Sequence, residues 1–163
     1  SMYYVAEYYY RNKQYEKASA YLSLNVLQQQ GYMLYLRAKV EHEWEQEKYY
    51  KQIHDALIEV ILKEGYDAFE EKMENAIATY QPSDKVFCFY QKALQMFEQE
   101  ASLGNVVSAY MAGNMYYNGE GSKVNIQKAL HYYEHISENR EAQYDFYRNA
   151  AEKKIKETRK IRS

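Results

Sequence analysis

An all-α fold of stacked helical hairpins is what this sequence predicts, and three observations predict it. The phrase Gln91-Lys92-Ala93-Leu94 returns as Gln127-Lys128-Ala129-Leu130, 36 residues later, with Glu98 and Glu134 in the same place after each copy. A period of that length is the mark of a repeat built from helix pairs. Between the copies lies a helical pattern with small residues at Ala109, Ala112 and Gly113, a turn marked by Gly119 and Gly121, and a second helical pattern opening at Asn125. Finally, the chain has one proline and six glycines in 163 residues, and sustained strand-like alternation is hard to find in it. That combination suits helices joined by few tight turns.

In chain order, residues 2–12 and 15–29 read as two helices joined by a short turn at Lys13 and Gln14. Gly31 reads as the end of one helix and Tyr32 as the start of another, with Leu34, Ala38 and Val40 inward as far as Trp44. A further helix over 48–64 places Ile53, Leu57, Val60 and Ile61 on one face, and Gly65 stops it. Asp67 to Tyr80 forms a shorter helix. Gln81-Pro82-Ser83-Asp84 is the clearest break, and Ser83 or Asp84 offers the cap for a helix over 85–102. The glycine-turn pair occupies 104–137, and a last helix over 140–158 turns Phe146, Tyr147, Ala150 and Ala151 inward. The expectation is about nine helices and no strand.

The unit from 93 to 133 resembles a Sel1-like repeat, a relative of the tetratricopeptide repeat with a longer loop. Ala101, Gly104, Ala109, Tyr110, Gly113, Tyr116, Gly119, Gly121, Lys128, Ala129 and Tyr133 carry the resemblance, while Ser122 and Asn125 stand where the family usually has Val and Asp. Residues 2–29 resemble a degenerate tetratricopeptide repeat through Ala6, Tyr9, Tyr15, Ala18 and Leu22. The resemblance implies one right-handed α-solenoid domain over 1–163: a degenerate repeat region over 2–44, an irregular helical middle over 45–83, a Sel1-like repeat over 84–137, and a capping helix over 138–163. It also implies a concave groove that binds a peptide or protein segment, with an adaptor role. Carried across, the groove positions are Tyr3, Glu7, Tyr10 and Arg11, then Tyr32, Tyr35, Lys39 and His42, then Ser108, Met111 and Met115. Tyrosine suits such a surface because it offers rigid contact area with a hydrogen-bonding tip.

Other function classes find less support. A net charge of −2 gives no field for nucleic acid, and the basic end from Lys153 to Arg162 reads as a helix end favoured by its own dipole. No apolar run is long enough to span a membrane. The single cysteine, Cys88, sits in an apolar run and reads as a small core residue; with no signal segment visible, it points to the cytoplasm. Ser1 before Met2 reads as a tag remnant on a chain that can be a fragment. His131, Glu134 and His135 spell HxxEH, the inverted zincin pattern. They also lie on the repeat's second helix, where Glu134 echoes Glu98 in a unit without histidines, so neither a catalytic residue nor a metal is assigned. No cofactor is expected, since the Gly119-Glu120-Gly121 loop lacks the residues of a phosphate-binding loop. The alternatives kept open are a metal-dependent hydrolase centred on residues 131–135 and a structural protein that forms homo-oligomers by end stacking.

Overall fold

Helix boundaries fall where the sequence supplies caps. The computed structural model describes residues 2–24 and 30–162, with side chains to residue 160. Among them the chain forms eight α-helices and no strand: α1 (Met2–Arg11), α2 (Tyr15–Leu22), α3 (Gly31–Glu64), α4 (Tyr66–Thr79), α5 (Asp84–Ser102), α6 (Val106–Asn118), α7 (Ile126–Ser137) and α8 (Asp145–Arg162). The Ser83 hydroxyl and the Asn105 and Asn125 side-chain carbonyls accept from the amides of Val86, Ser108 and Lys128, satisfying groups that a helix start leaves open. Gly65 closes α3 at φ 92°, and Gly119 closes α6 at φ 74°. Residues 25–29, where a longer α2 is expected from the sequence, lie outside the described residues.

The helix expected from Tyr32 starts one residue earlier, at Gly31, and the expected break between residues 44 and 48 is absent. Gly31 is the first residue of a single 34-residue helix, and a Cβ there would run into the Phe97 ring, so the glycine also serves close packing. The expected division between residues 44 and 45 falls inside this helix. α3 is the spine of the fold: its first half packs on α2 and α5, and its second half on α4. It runs antiparallel to α5, with the Gly31 amide donating to Glu100 Oε1 (2.6 Å) at one end and the Ser83 amide donating to Glu45 Oε1 (2.9 Å) at the other. α5 packs on α6, α6 on α7, and α8 on α7 and, more lightly, on α6.

Two apolar cores meet across α3. Leu36 and Val40 join Ala6, Ala18 and Leu22 on one side. Leu34 and Ala38 join Phe97, Met115, Tyr116, Tyr133, Ile136 and Ala151 on the other. Small residues bring α6 and α7 together, since a Cβ on Gly113 would lie 2.8 Å from the Tyr133 ring. Ala109 is 3% exposed at this layer. Replacing Ala109 with Leu is therefore expected to overpack it and cost about 1–3 kcal/mol; an unchanged urea midpoint would contradict the packing described.

The second half of α3 and α4 form an arm. Phe69 and Ala76 are buried in it, while Ile58, Leu62, Tyr66 and Ile77 are exposed, Leu62 at 88%. Two further expectations are corrected. Phe146 is 72% exposed, because Ala151 and Ile155 take the inward positions of α8. Cys88 is exposed, because Val86, Tyr90, Ala93, Leu94 and Phe97 form the buried stripe of α5 and leave 87–88 on its outer side.

Candidate partner-binding groove

Helical spacing aligns Tyr32, Tyr35, Lys39 and His42 along one side of α3, and Tyr3, Glu7 and Tyr10 along one side of α1. The structure brings these two stripes together. The Tyr3 and Tyr32 rings meet edge to face with centroids 4.9 Å apart. Tyr10 lies beside the Glu43 side chain, and burial with that neighbouring carboxylate raises its pKa. Arg11 is exposed and pairs with Glu7 at 2.9 Å, a surface pair one helical turn long. Such pairs orient side chains more than they stabilise the fold.

Aromatic rings continue along α3 as a ladder. Phe97 lies 6.1 Å from Tyr35, Tyr35 5.8 Å from Tyr90, Tyr90 5.7 Å from His42, His42 6.1 Å from Tyr80 in a stacked arrangement, and Tyr80 5.2 Å from Tyr49. Polar tips along it are bonded. His42 Nδ1 and the Tyr90 hydroxyl share a hydrogen bond of 3.0 Å, and burial lowers the His42 pKa, which keeps the imidazole neutral at pH 7. Tyr80 donates to Glu45 Oε1 (2.8 Å), which also accepts from the Ser83 amide, while the Ser83 hydroxyl donates to Glu45 Oε2. The Glu45 pKa is lowered: burial pushes it up, and the Ser83 and Tyr80 hydrogen bonds outweigh that.

Glu120 is the side chain on which three elements converge. The Tyr35 hydroxyl lies 3.1 and 3.0 Å from its two carboxylate oxygens. Burial raises the Glu120 pKa, opposed by the Tyr35 bond and by Lys39, whose ammonium lies 5.8 Å from the Tyr35 ring centroid. Gly121 makes this placement possible. It sits at φ 75°, and a Cβ on it would lie 2.6 Å from the Tyr90 backbone, so the loop folds back tightly onto α5 and turns Glu120 toward α3.

At the end of the ladder, a cavity of about 480 Å³ opens between α3, α5 and α6, lined by Tyr32, Phe97, Glu100, Val107, Ser108 and Met111. Its walls combine aliphatic and aromatic groups with the polar residues Gln30, Glu100, Asn105 and Ser108, the make-up of a side-chain pocket. Tyr32 is 43% exposed at its rim, and Met111 is half-buried.

Two expected contact residues are misplaced. Met115 is 0% exposed because α6 lies between α5 and α7, which cover that side of it, so it belongs to the core. Ser108 is 3% exposed, and its hydroxyl donates to Glu100 Oε2 (2.6 Å), so it only backs the cavity wall. Glu120, Glu43, Tyr90, Phe97 and Val107 enter the groove without a signal in the sequence that singles them out. Their one legible hint is a lone carboxylate between two glycines.

The HxxEH residues lie elsewhere. His131, Glu134 and His135 are exposed on α7, and the two histidines edge a hollow of about 230 Å³ that also contains Glu98. The Glu98 carboxylate is already engaged, accepting from Tyr116 (3.0 Å) and Tyr132 (3.1 Å). Among the described residues no three His, Cys, Asp or Glu side chains gather closely enough to hold a metal ion. No helix among the described residues is long and apolar enough to cross a membrane.

The chain matches no family model, and no curated protein or solved structure matches it.

Proposed function

We propose that the chain is a non-enzymatic protein-interaction module, a right-handed α-solenoid similar to Sel1-like and tetratricopeptide repeats, that binds a peptide segment of another protein along the face formed by α1, α3 and α6. The observation that carries this reading is the 480 Å³ cavity opening directly onto an aromatic ladder. The cavity suits one apolar anchor side chain, and the rigid rings suit the backbone beside it. The packing order supports it too. α1, α3, α6 and α8 behave as the first helices of successive pairs and α2, α5 and α7 as the second, with α4 inserted between α3 and α5. Hairpins that cannot bury an apolar face alone do so by stacking, and the first helices are then left to line a concave surface. Self-association is the second reading, favoured by the exposed Ile58, Leu62, Tyr66 and Ile77 on the arm.

Selection from a displayed random-peptide library tests the main reading. Peptides with a recurring apolar residue are expected. Replacing both Tyr32 and Met111 with Ala should weaken them at least about tenfold, the scale of losing a hot spot, while the melting temperature changes little because neither side chain is fully buried. Peptides that bind the double variant as tightly as the parent would place the binding surface elsewhere.

A further inference from the structure

We infer that the groove contains a subsite for one basic side chain, a lysine or arginine of the bound segment, formed by Tyr10, Tyr35, Glu43 and Glu120. The inference rests on the peptide-binding reading of the groove and specifies the chemistry of what enters it. Four elements bring the residues together: α1 gives Tyr10, α3 gives Tyr35 and Glu43, the loop between α6 and α7 gives Glu120, and α5 supplies Tyr90 as the buried floor. Tyr10 is close enough to act electrostatically on both Tyr35 and Tyr90.

The hydrogen-bond inventory decides the class of guest. A phenol has one proton to donate, and Tyr35 commits its proton to Glu120, while burial and the Glu43 carboxylate beside Tyr10 raise that phenol's pKa and disfavour its phenolate. What the cluster still offers is mainly acceptors: phenol lone pairs, the remaining carboxylate lone pairs, and ring faces with their negative quadrupoles. A cation carrying N–H groups complements all three, whereas a carboxylate or a neutral acceptor complements none.

The charges agree. Glu43 and Glu120 are two carboxylates, Lys39 is a host cation beside them, and His42 is held neutral. Glu45 is engaged by Ser83 and Tyr80, and Glu7 and Arg11 neutralise one another at the rim. Ser83 and Tyr80 are neutral, so Glu45 keeps its charge, and the balance around the cluster stays negative, which favours a guest cation. The chain's own Lys39 ammonium already lies over the Tyr35 ring, which demonstrates that this ring accepts such a group. Lys39 also lies where it must repel a guest of the same sign, and that gives the inference a test of opposite direction.

Fluorescein-labelled peptides sharing a leucine anchor and differing at one following position (lysine, acetyl-lysine or glutamate) are to be titrated by anisotropy at low and high salt. The lysine peptide is expected to bind about tenfold tighter than the acetyl-lysine peptide at low salt, with glutamate weakest. Glu120→Gln should bring the lysine and acetyl-lysine affinities together without weakening the acetyl-lysine peptide. Lys39→Met should tighten the lysine peptide several-fold and leave the acetyl-lysine peptide unchanged, an outcome that loss of structure cannot produce. Equal binding of lysine and acetyl-lysine peptides, with both lost in Tyr32→Ala, would overturn the subsite and leave the groove standing. Failure of all three peptides to bind would overturn both.

Discussion

Raising the pH from 10 to 12 is expected to unfold this protein. Burial raises the pKa of Tyr90, Tyr116 and Tyr133 above the ordinary value of 10.0, because the phenolate is disfavoured away from water; for Tyr116 it is pushed up to about 12. These rings are 6%, 5% and 0% exposed, so solvent does little to relieve the penalty. Above pH 10 the unfolded chain releases protons that the folded chain keeps. Stability is therefore fully present below pH 10 and is lost as pH rises toward the folded-state values. Each such tyrosine contributes a slope of about 1.4 kcal/mol per pH unit, and three together about 4, enough to exhaust the stability of an ordinary domain within two units. Tyr10, Tyr35, Tyr80 and Tyr132 shift the same way but are partly solvated and add less. Far-UV circular dichroism against pH, with urea midpoints at pH 9, 10 and 11, measures the slope. Tyr133→Phe removes one titrating group and should lower the slope by about 1.4 kcal/mol per unit. A midpoint that stays level to pH 11 would contradict the burial of all three.

Gly121→Ala is expected to be the most damaging single change in the loop. At φ 75° an L-residue costs about 1–2 kcal/mol in this region. The added Cβ would also lie 2.6 Å from the Tyr90 carbonyl carbon and 2.7 Å from the Gln91 nitrogen, and backbone cannot rotate out of the way as a side chain can. Forced displacement of a packed segment adds about 1–3 kcal/mol. The sum, about 2–5 kcal/mol, should appear as a fall of roughly 5–20 °C in melting temperature for a chain of this size. Gly119→Ala is the control. Its φ of 74° carries the same strain, but its closest neighbour is the Val124 side chain at 3.0 Å, which can yield. Gly121→Ala should therefore be clearly the worse of the two, and because it lifts Glu120 away from Tyr35 it should also abolish any preference for lysine peptides. Equal effects at the two glycines would show that the close approach to α5 is not maintained in solution.

Local signals were legible where local chemistry decides the outcome. Ser83 and Asn125 cap the helices expected of them, Gly65 stops α3, and the glycine-turn pair appears as α6 and α7 with their loop. Gly31 marks a helix boundary as its place in the sequence suggests, and only the position of Phe97, 66 residues away, shows that it is also a packing residue. The break expected near Trp44, absent from the structure, has a tertiary cause. The buried side of α3 changes where its neighbours change from α2 and α5 to α4, so a periodicity search sees two helices in one continuous backbone. In the groove, the positions on α1 and α3 follow from the repeat resemblance, whereas Ser108 and Met115 could not be told from surface residues without knowing which sides of α6 its neighbours cover.

By itself the sequence determined the helical class, the caps, the hairpin echoed at 36 residues and the left-handed glycines of its loop, because each depends on residues within a few turns of one another. Tertiary structure alone decided that α3 is one helix, that Glu120 turns inward onto Tyr35, and that Phe97 and Tyr90 join the aromatic ladder along α3. Those outcomes depend on contacts between residues roughly 50 to 85 positions apart, for which no local pattern in the chain carries a record.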